Sequence, residues 1–246
     1  MQKIAVISDI HGNMQALDTV LNDIKKQNPD KIICLGDYAM AGPQPSETID
    51  FFIKNKNDFI MIQGNTDKFI SEYSDDLCKK IAENAPIMAE ALKYDITLLN
   101  NNQINFLSNL PENLLIQIEN IKILAVHGSP RSNSENIFPN LSLDTVQEMI
   151  KDTDANIILC GHTHIPCGYQ TNTKQTVINA GSVGRPFTDN PKASYLLINI
   201  DNNTFSAEHI LLDYNKQLAA ELLSKQNFKG SEKLANILIT PSVRHL

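Results

Sequence analysis

Three oxygen-bearing side chains, Asp9, Asp37 and Asn65, and four imidazoles, His11, His127, His162 and His164, stand where short apolar runs give way to glycine-containing segments. Carboxylate and amide oxygens and imidazole nitrogens are the donors that hold divalent cations. Seven donors exceed one tetrahedral or octahedral shell, so the set fits two ions that share a bridging carboxylate. His162 and His164 are two positions apart, as are Asp9 and His11. Along extended backbone each pair therefore points one way and can grip an ion together. Gly12, Gly36, Gly64, Gly128 and Gly161 leave room beside them for compact loops and for an approaching phosphate. The other two histidines, His209 and His245, stand outside this pattern.

Taken singly, each residue has a plainer role. Asp9 suits a helix N-cap, Asp37 and Asn65 suit turns, and an isolated His127 suits a half-buried position with a hydrogen-bond partner. The constellation carries the weight, and it needs elements that bring distant positions together. Apolar runs at 3–8, 31–35, 59–62 and 157–160 read as strands, with helices at 14–24 and 46–54 between the first three. Apolar strands alternating with helices predict a parallel sheet covered on both faces. The carboxyl ends of such strands share one edge, which would gather the seven side chains in one crevice.

The pattern turns wholly helical over 68–111, with a long helix expected at 76–93 and a shorter one at 102–109. A hairpin of 114–118 and 121–126 leads to His127, and a helix at 143–151 follows. Strands are expected at 168–170, 176–179, 194–200 and 204–212, then helices at 215–225 and 232–238 within a C-terminal extension over 213–246. No internal period or low-complexity linker divides the chain, so residues 1–246 read as a single α/β domain decorated by a helical insertion.

The order Asp9-x-His11, Gly36-Asp37, Gly64-Asn65-x-Asp67, His127-Gly128 and Gly161-His162-x-His164 resembles the calcineurin-like metallophosphoesterase superfamily, above all its bacterial and archaeal phosphodiesterase-like members. The likeness runs from residue 3 to about 200, and the block Asn179-Ala180-Gly181-Ser182-Val183-Gly184-Arg185-Pro186 shares it. It implies a four-layered α/β/β/α sandwich. It also implies that Asp9, His11, Asp37 and His164 bind one metal while Asp37, Asn65, His127 and His162 bind the other, with Asp37 as the bridge. A hydroxide held between the metals would then attack phosphorus in line, which places Asp37, Asn65 and His127 in the catalytic machinery. Mn is the first choice of ion on this likeness, and Fe, Zn, Co and Ni suit the same ligand types.

The chain departs from the family's common pattern at Thr66, where many members carry a histidine that protonates the leaving oxygen or binds phosphate. A hydroxyl cannot donate a proton as an imidazolium can, so poor alkoxide leaving groups should suffer by the ~10²–10⁴ that general acid loss costs. The expected activity is therefore phosphodiester hydrolysis. A phosphomonoesterase or protein phosphatase, a dinucleoside polyphosphate hydrolase, and a metal-containing protein-binding scaffold are the alternatives. Arg185 is a candidate for binding substrate phosphate, against a plain surface ion pair. Asp67 is either a first-turn helix acid or a residue that orients a ligand.

Composition narrows the remaining classes. Aliphatic, aromatic and Cys residues make 42% of the 246 residues and charged residues 20%, which excludes a disordered chain. With 21 Lys and Arg against 28 Asp and Glu and no basic stripe, a phosphate-neutralising nucleic-acid groove is not indicated. No apolar run reaches the ~18 residues of a membrane span, and the start does not read as a signal peptide, so a cytoplasmic location is expected. The four cysteines show no C-x-x-C spacing, and Cys34 and Cys160 lie in apolar runs as core residues. The expected partners are a phosphate-ester small molecule or nucleotide, with a homodimer as the expected assembly.

Overall fold

A computed structural model of the chain describes residues 1–240, so His245 and the end of the expected C-terminal extension lie outside the described residues. The elements in order are β1 (Gln2–Ile7), α1 (Met14–Gln27), β2 (Lys31–Cys34), α2 (Pro45–Lys54), β3 (Ile60–Met61), α3 (Asn65–Ser71), α4 (Asp75–Asn84), α5 (Pro86–Leu98) and α6 (Asn101–Ser108). They continue with β4 (Asn113–Ile118), β5 (Ile121–Val126), α7 (Leu143–Met149), β6 (Ile157–Cys160), β7 (Cys167–Gln170), β8 (Thr176–Asn179), β9 (Ala193–Asp201), β10 (Thr204–Leu212), α8 (Lys216–Ser224) and α9 (Ser231–Ile239). Among the described residues no helix is long and apolar enough to cross a membrane.

The strands form two five-stranded sheets, in the orders β10-β9-β1-β2-β3 and β4-β5-β6-β8-β7. Within the first, β1, β2 and β3 are parallel, and within the second, β5, β6 and β8 are parallel. Antiparallel strands close the flanks: β9 and β10 on one sheet, β4 and β7 on the other. This corrects the expectation of one parallel sheet covered by helices on both faces. The central strands such as β1 and β6 are buried on both faces, but one of those faces meets the other sheet.

Side-chain alternation shows how the layers form. Ile4 and Val6 of β1 share a core with Ile33, Ile123, Ile157 and Leu159, which fills the space between the sheets. Ala5 and Ile7 of the same strand pack with Leu17, Val20 and Ile24 of α1 and with Phe52 of α2. On the far side, Ile158 and Cys160 of β6 pack with Val146 and Met149 of α7. Helices, sheet, sheet and helix therefore stack as the four-layered sandwich. Cys34 and Cys160 are buried in these cores, as their apolar contexts required.

α1 follows from its sequence with little ambiguity. Asn13 caps it by accepting a hydrogen bond from Ala16 N–H, and Asn28 ends it in the left-handed region at φ 49°. The expected single helix over 76–93 is instead two, α4 and α5. Pro86 opens α5 at its first turn, because a proline inside a continuous helix would lose a backbone hydrogen bond and clash with the preceding turn. The helical segment expected from 68 starts three residues earlier, with α3 beginning at Asn65 itself. Asp67 in its first turn supplies the acid that favours a helix start there.

Candidate metal centre

The loops after β1, β2, β3, β5 and β6 meet at one edge shared by the two sheets, and each delivers expected site residues. Backbone hydrogen bonds tie the loops together: Asp9 N–H donates to Gly36, His11 N–H to Asp37, and Gly161 N–H to His127. Two glycines allow this closeness. A Cβ on Gly64 would lie 2.1 Å from Asp37 Oδ1, and one on Gly161 would lie 2.5 Å from Asp9 Oδ2. The space these glycines leave is thus filled by the candidate ligands, and not by an approaching phosphate as the sequence suggested.

Five of the seven candidates occupy the left-handed backbone region: Asp9 at φ 55°, His11 at 47°, Asp37 at 57°, His162 at 64° and His164 at 62°. Non-glycine residues are sparse there, and such strain concentrates where surrounding structure enforces a functional geometry. Extended backbone was the expected means of aligning Asp9 with His11 and His162 with His164. Successive tight turns do it instead.

Three of the four imidazoles are oriented by backbone carbonyls. Nδ1–H of His11 donates to Met40 at 2.9 Å, that of His127 to Leu35 at 2.7 Å, and that of His164 to Arg185 at 2.5 Å. A carbonyl can only accept, so in each ring Nδ1 carries the proton and Nε2 is turned inward. His11 Nε2 and His164 Nε2 then lie 3.2 Å apart, a contact that only a shared proton or a cation makes favourable. Asp9 Oδ1 is buried without a hydrogen-bond partner and lies 3.1 Å from His164 Nε2. Asp37 Oδ2 lies 3.5 Å from His11 Nε2 and 3.4 Å from His127 Nε2, between the two groups of donors. Donor atoms of Asp9, His11, Asp37 and His164 all fall within 4.8 Å of one another, and all four residues are buried. On the other side Asn65 Oδ1 lies 3.0 Å from His127 Nε2 and 2.8 Å from His162 Nδ1.

The electrostatics agree with a cation site. Burial pushes the Asp9 carboxyl up, but His164 and His127 outweigh it and hold the group well below the usual carboxylate range. Burial opposes ionisation of Asp37 as well, yet His127 and His11 bring it to about 2. Burial disfavours the His127 cation, but Asp37 and Asp9 raise it to about 10. Burial lowers His164 against the pull of Asp9. Two buried carboxylates facing one imidazolium leave an excess of negative charge that a divalent cation would balance. The residues present therefore fit metal ions.

Neighbouring residues complete the setting. Thr66 N–H donates to Asp37 Oδ1 at 2.9 Å while its hydroxyl donates to Ala39 at 3.2 Å. Asp67 accepts from the backbone N–H groups of Asp37, Tyr38 and Gly64, so it ties the loop after β2 to the loop after β3 as well as standing in the first turn of α3. Arg185, Met88 of α5 and Phe187 join His11, Asp37, Asn65, Thr66, His162 and His164 around a cleft of about 170 Å³. Arg185 sits with its Nη1 3.3 Å from Met88 Sδ and its guanidinium carbon 5.5 Å from the Phe187 ring centroid. Phe187 stacks on His164 at 4.9 Å between centroids. Met88 and Phe187 were not foreseen: a Met in a helical stripe reads as core, and Phe187 lies in a segment with no periodicity. His209 is not among the clustered donors, and its Nε2 lies 2.7 Å from the backbone carbonyl of Asn179.

Comparison with known proteins gives the same picture. An uncharacterized protein of Methanocaldococcus jannaschii, MJ0912, is 31% identical over 238 residues, which spans 90% of this chain and 92% of that one. The crystal structure of a metallophosphoesterase from Sphaerobacter thermophilus superposes with a TM-score of 0.78 at 23% identity, covering 98% of this chain and 99% of that one. The crystal structure of the hypothetical protein PH1004 from Pyrococcus horikoshii does so with a TM-score of 0.86 at 23% identity, covering 99% and 100%. Residues 2–203 match the calcineurin-like phosphoesterase superfamily domain, a span that contains every strand but β10 and every donor-bearing loop. With its sandwich, its buried Asp and His cluster and this match across most of its length, the chain belongs to the calcineurin-like phosphoesterase superfamily.

Proposed function

We propose that this protein is a dinuclear metal-dependent phosphoesterase that acts preferentially on phosphodiesters. The observation that carries the reading is the position of Asp37 Oδ2, about equally far from His11 Nε2 and His127 Nε2, with donors on both sides. Asp9, His11, Asp37 and His164 would hold one ion, and Asp37, Asn65, His127 and His162 the other. Bound ions would supply an activated water and neutralise charge developing on the phosphoryl oxygens. Mn is the proposed ion on the family likeness, and Fe, Zn, Co and Ni suit the same oxygen and imidazole donors.

The chain's own residues divide the remaining work. Carbonyls of Met40, Leu35 and Arg185 take the Nδ1 protons of His11, His127 and His164 in hydrogen bonds, which leaves Nε2 as the atom each ring would offer to a metal. Arg185, packed against Met88 and Phe187 at the cleft, would bind a non-bridging phosphoryl oxygen through its guanidinium. Thr66 lines the cleft where a proton donor to the leaving group would be useful, and its hydroxyl is committed to Ala39. Substrates whose leaving group departs without strong protonation are therefore favoured, as in activated diesters. Calorimetric titration of chelator-treated protein with Mn tests the metal reading: two ions should bind, and Asp37→Ala should weaken both. A single ion in the wild type, with the Asp37 variant unaffected, would contradict it.

A further inference from the structure

Asp95 lies on α5, outside the strand-end loops in sequence, and its side chain is fully buried. Oδ2 accepts a hydrogen bond from Ala41 N–H at 2.9 Å, and Oδ1 has no hydrogen-bond partner. A carboxyl group in such a position is costly, and an apolar residue on this face of α5 would avoid the cost. What Asp95 contributes is its hold on the Ala41 N–H.

Ala41 is at one end of a strained turn. Met40 at φ 77° and Ala41 at φ 62° are consecutive non-glycine residues in the left-handed region. Non-glycine residues are disfavoured in that region, so the turn persists only where its surroundings fix it. The carbonyl of Met40, inside this turn, is the acceptor that orients the His11 ring. The other end of the same loop is pinned by Asp67, which accepts from Asp37 and Tyr38 N–H. Two buried aspartates thus hold the two ends of residues 37–41, and the ring of His11 rests on what lies between them.

The geometry points to Asp95 as a positioning residue for the metal centre: by holding Ala41 N–H it fixes the Met40 carbonyl that aims His11 Nε2 at the cluster. This rests on the metal reading above, and two measurements separate the fate of one from the other. Asp95→Leu removes the acceptor while filling the space, Asp95→Ala removes it and leaves a cavity, and Asp95→Asn keeps an oxygen that can accept from Ala41. Circular dichroism and melting curves establish which variants fold.

In folded, chelator-treated protein, calorimetry with Mn should show one of the two ions bound about tenfold more weakly in Asp95→Leu and Asp95→Ala, the range that loss of an outer hydrogen-bond partner produces. The other ion should be unaffected, and Asp95→Asn should stay near wild type. In metal-free protein, long-range proton–nitrogen spectra should show His11 as the Nδ1–H tautomer in wild type and Asp95→Asn, and as mixed tautomers in the other two. Equal affinity for both ions in all variants with an unchanged His11 tautomer would overturn the role of Asp95. So would a loss in Asp95→Asn as large as in Asp95→Leu. If the wild type binds no Mn, the metal reading fails, and the His11 tautomer still decides whether Asp95 positions the ring.

Discussion

His11 Nε2 and His164 Nε2 face each other at 3.2 Å although both rings have already given their Nδ1 protons to backbone carbonyls. Two lone pairs at that distance repel unless a positive charge lies between them. Metal binding should therefore stabilise the fold as well as activate it. A ligand present at a hundred times its dissociation constant adds about 2.7 kcal/mol. Melting curves with Mn and with chelator should differ accordingly, and His164→Ala should lose most of that difference. Identical curves with and without metal would contradict the account.

Stability in the metal-free state should carry a pH signature from Asp95. Burial pushes its carboxyl up to about 7 from an ordinary 3.8, with the Ala41 N–H opposing. The folded state therefore binds a proton that the unfolded state has released between those values. This residue's contribution is fully present below about pH 4, declines as pH rises, and levels off above about pH 7, at a slope of up to about 1.4 kcal/mol per pH unit. Asp95→Asn lacks the titration. Denaturant unfolding in chelator should show the variant gaining on the wild type as pH rises through this window, and parallel curves would count against it.

Thr66 predicts a steep dependence on the leaving group. Without a proton donor at that position, kcat/KM for a series of aryl and alkyl phosphodiesters should fall sharply as the leaving-group pKa rises. A flat series would show that another residue protonates the leaving oxygen and would remove the reason for preferring activated esters.

Arg185 should act on substrate binding. Arg185→Ala should raise KM about tenfold or more, the scale of a lost charge-assisted hydrogen bond, while leaving Mn stoichiometry unchanged. Arg185→Lys should recover only part of the loss, because the ammonium cannot bind two oxygens in one plane. Unchanged KM and kcat in Arg185→Ala would take the residue out of the substrate site.

The strand ends were legible because each apolar run stops at a polar residue, and the boundaries of β5, β6, β8 and β10 could be read directly from that change. All seven candidate donors could be named for the same reason. The second sheet was hidden in the residues themselves, since a strand buried by helices and one buried by another sheet show the same apolar run. The break at Pro86 was present in the sequence but outweighed by a helical stripe that continues across it. Left-handed turns at Asp9, His11, Asp37, His162 and His164 carry no local signal, because glycine is the residue that usually marks them. Asp95 was invisible for a related reason: its meaning lies in a backbone N–H far from it in sequence.

Metal-dependent diester hydrolysis is tested most directly by turnover of bis-p-nitrophenyl phosphate beside p-nitrophenyl phosphate, by metal-stripped protein refilled with Mn and by Asp37→Asn treated in the same way. The diester should be hydrolysed faster than the monoester, only after refilling, and Asp37→Asn should be slower by orders of magnitude. Equal turnover in the metal-stripped protein or in Asp37→Asn, or no turnover of either ester with two ions bound, would contradict it.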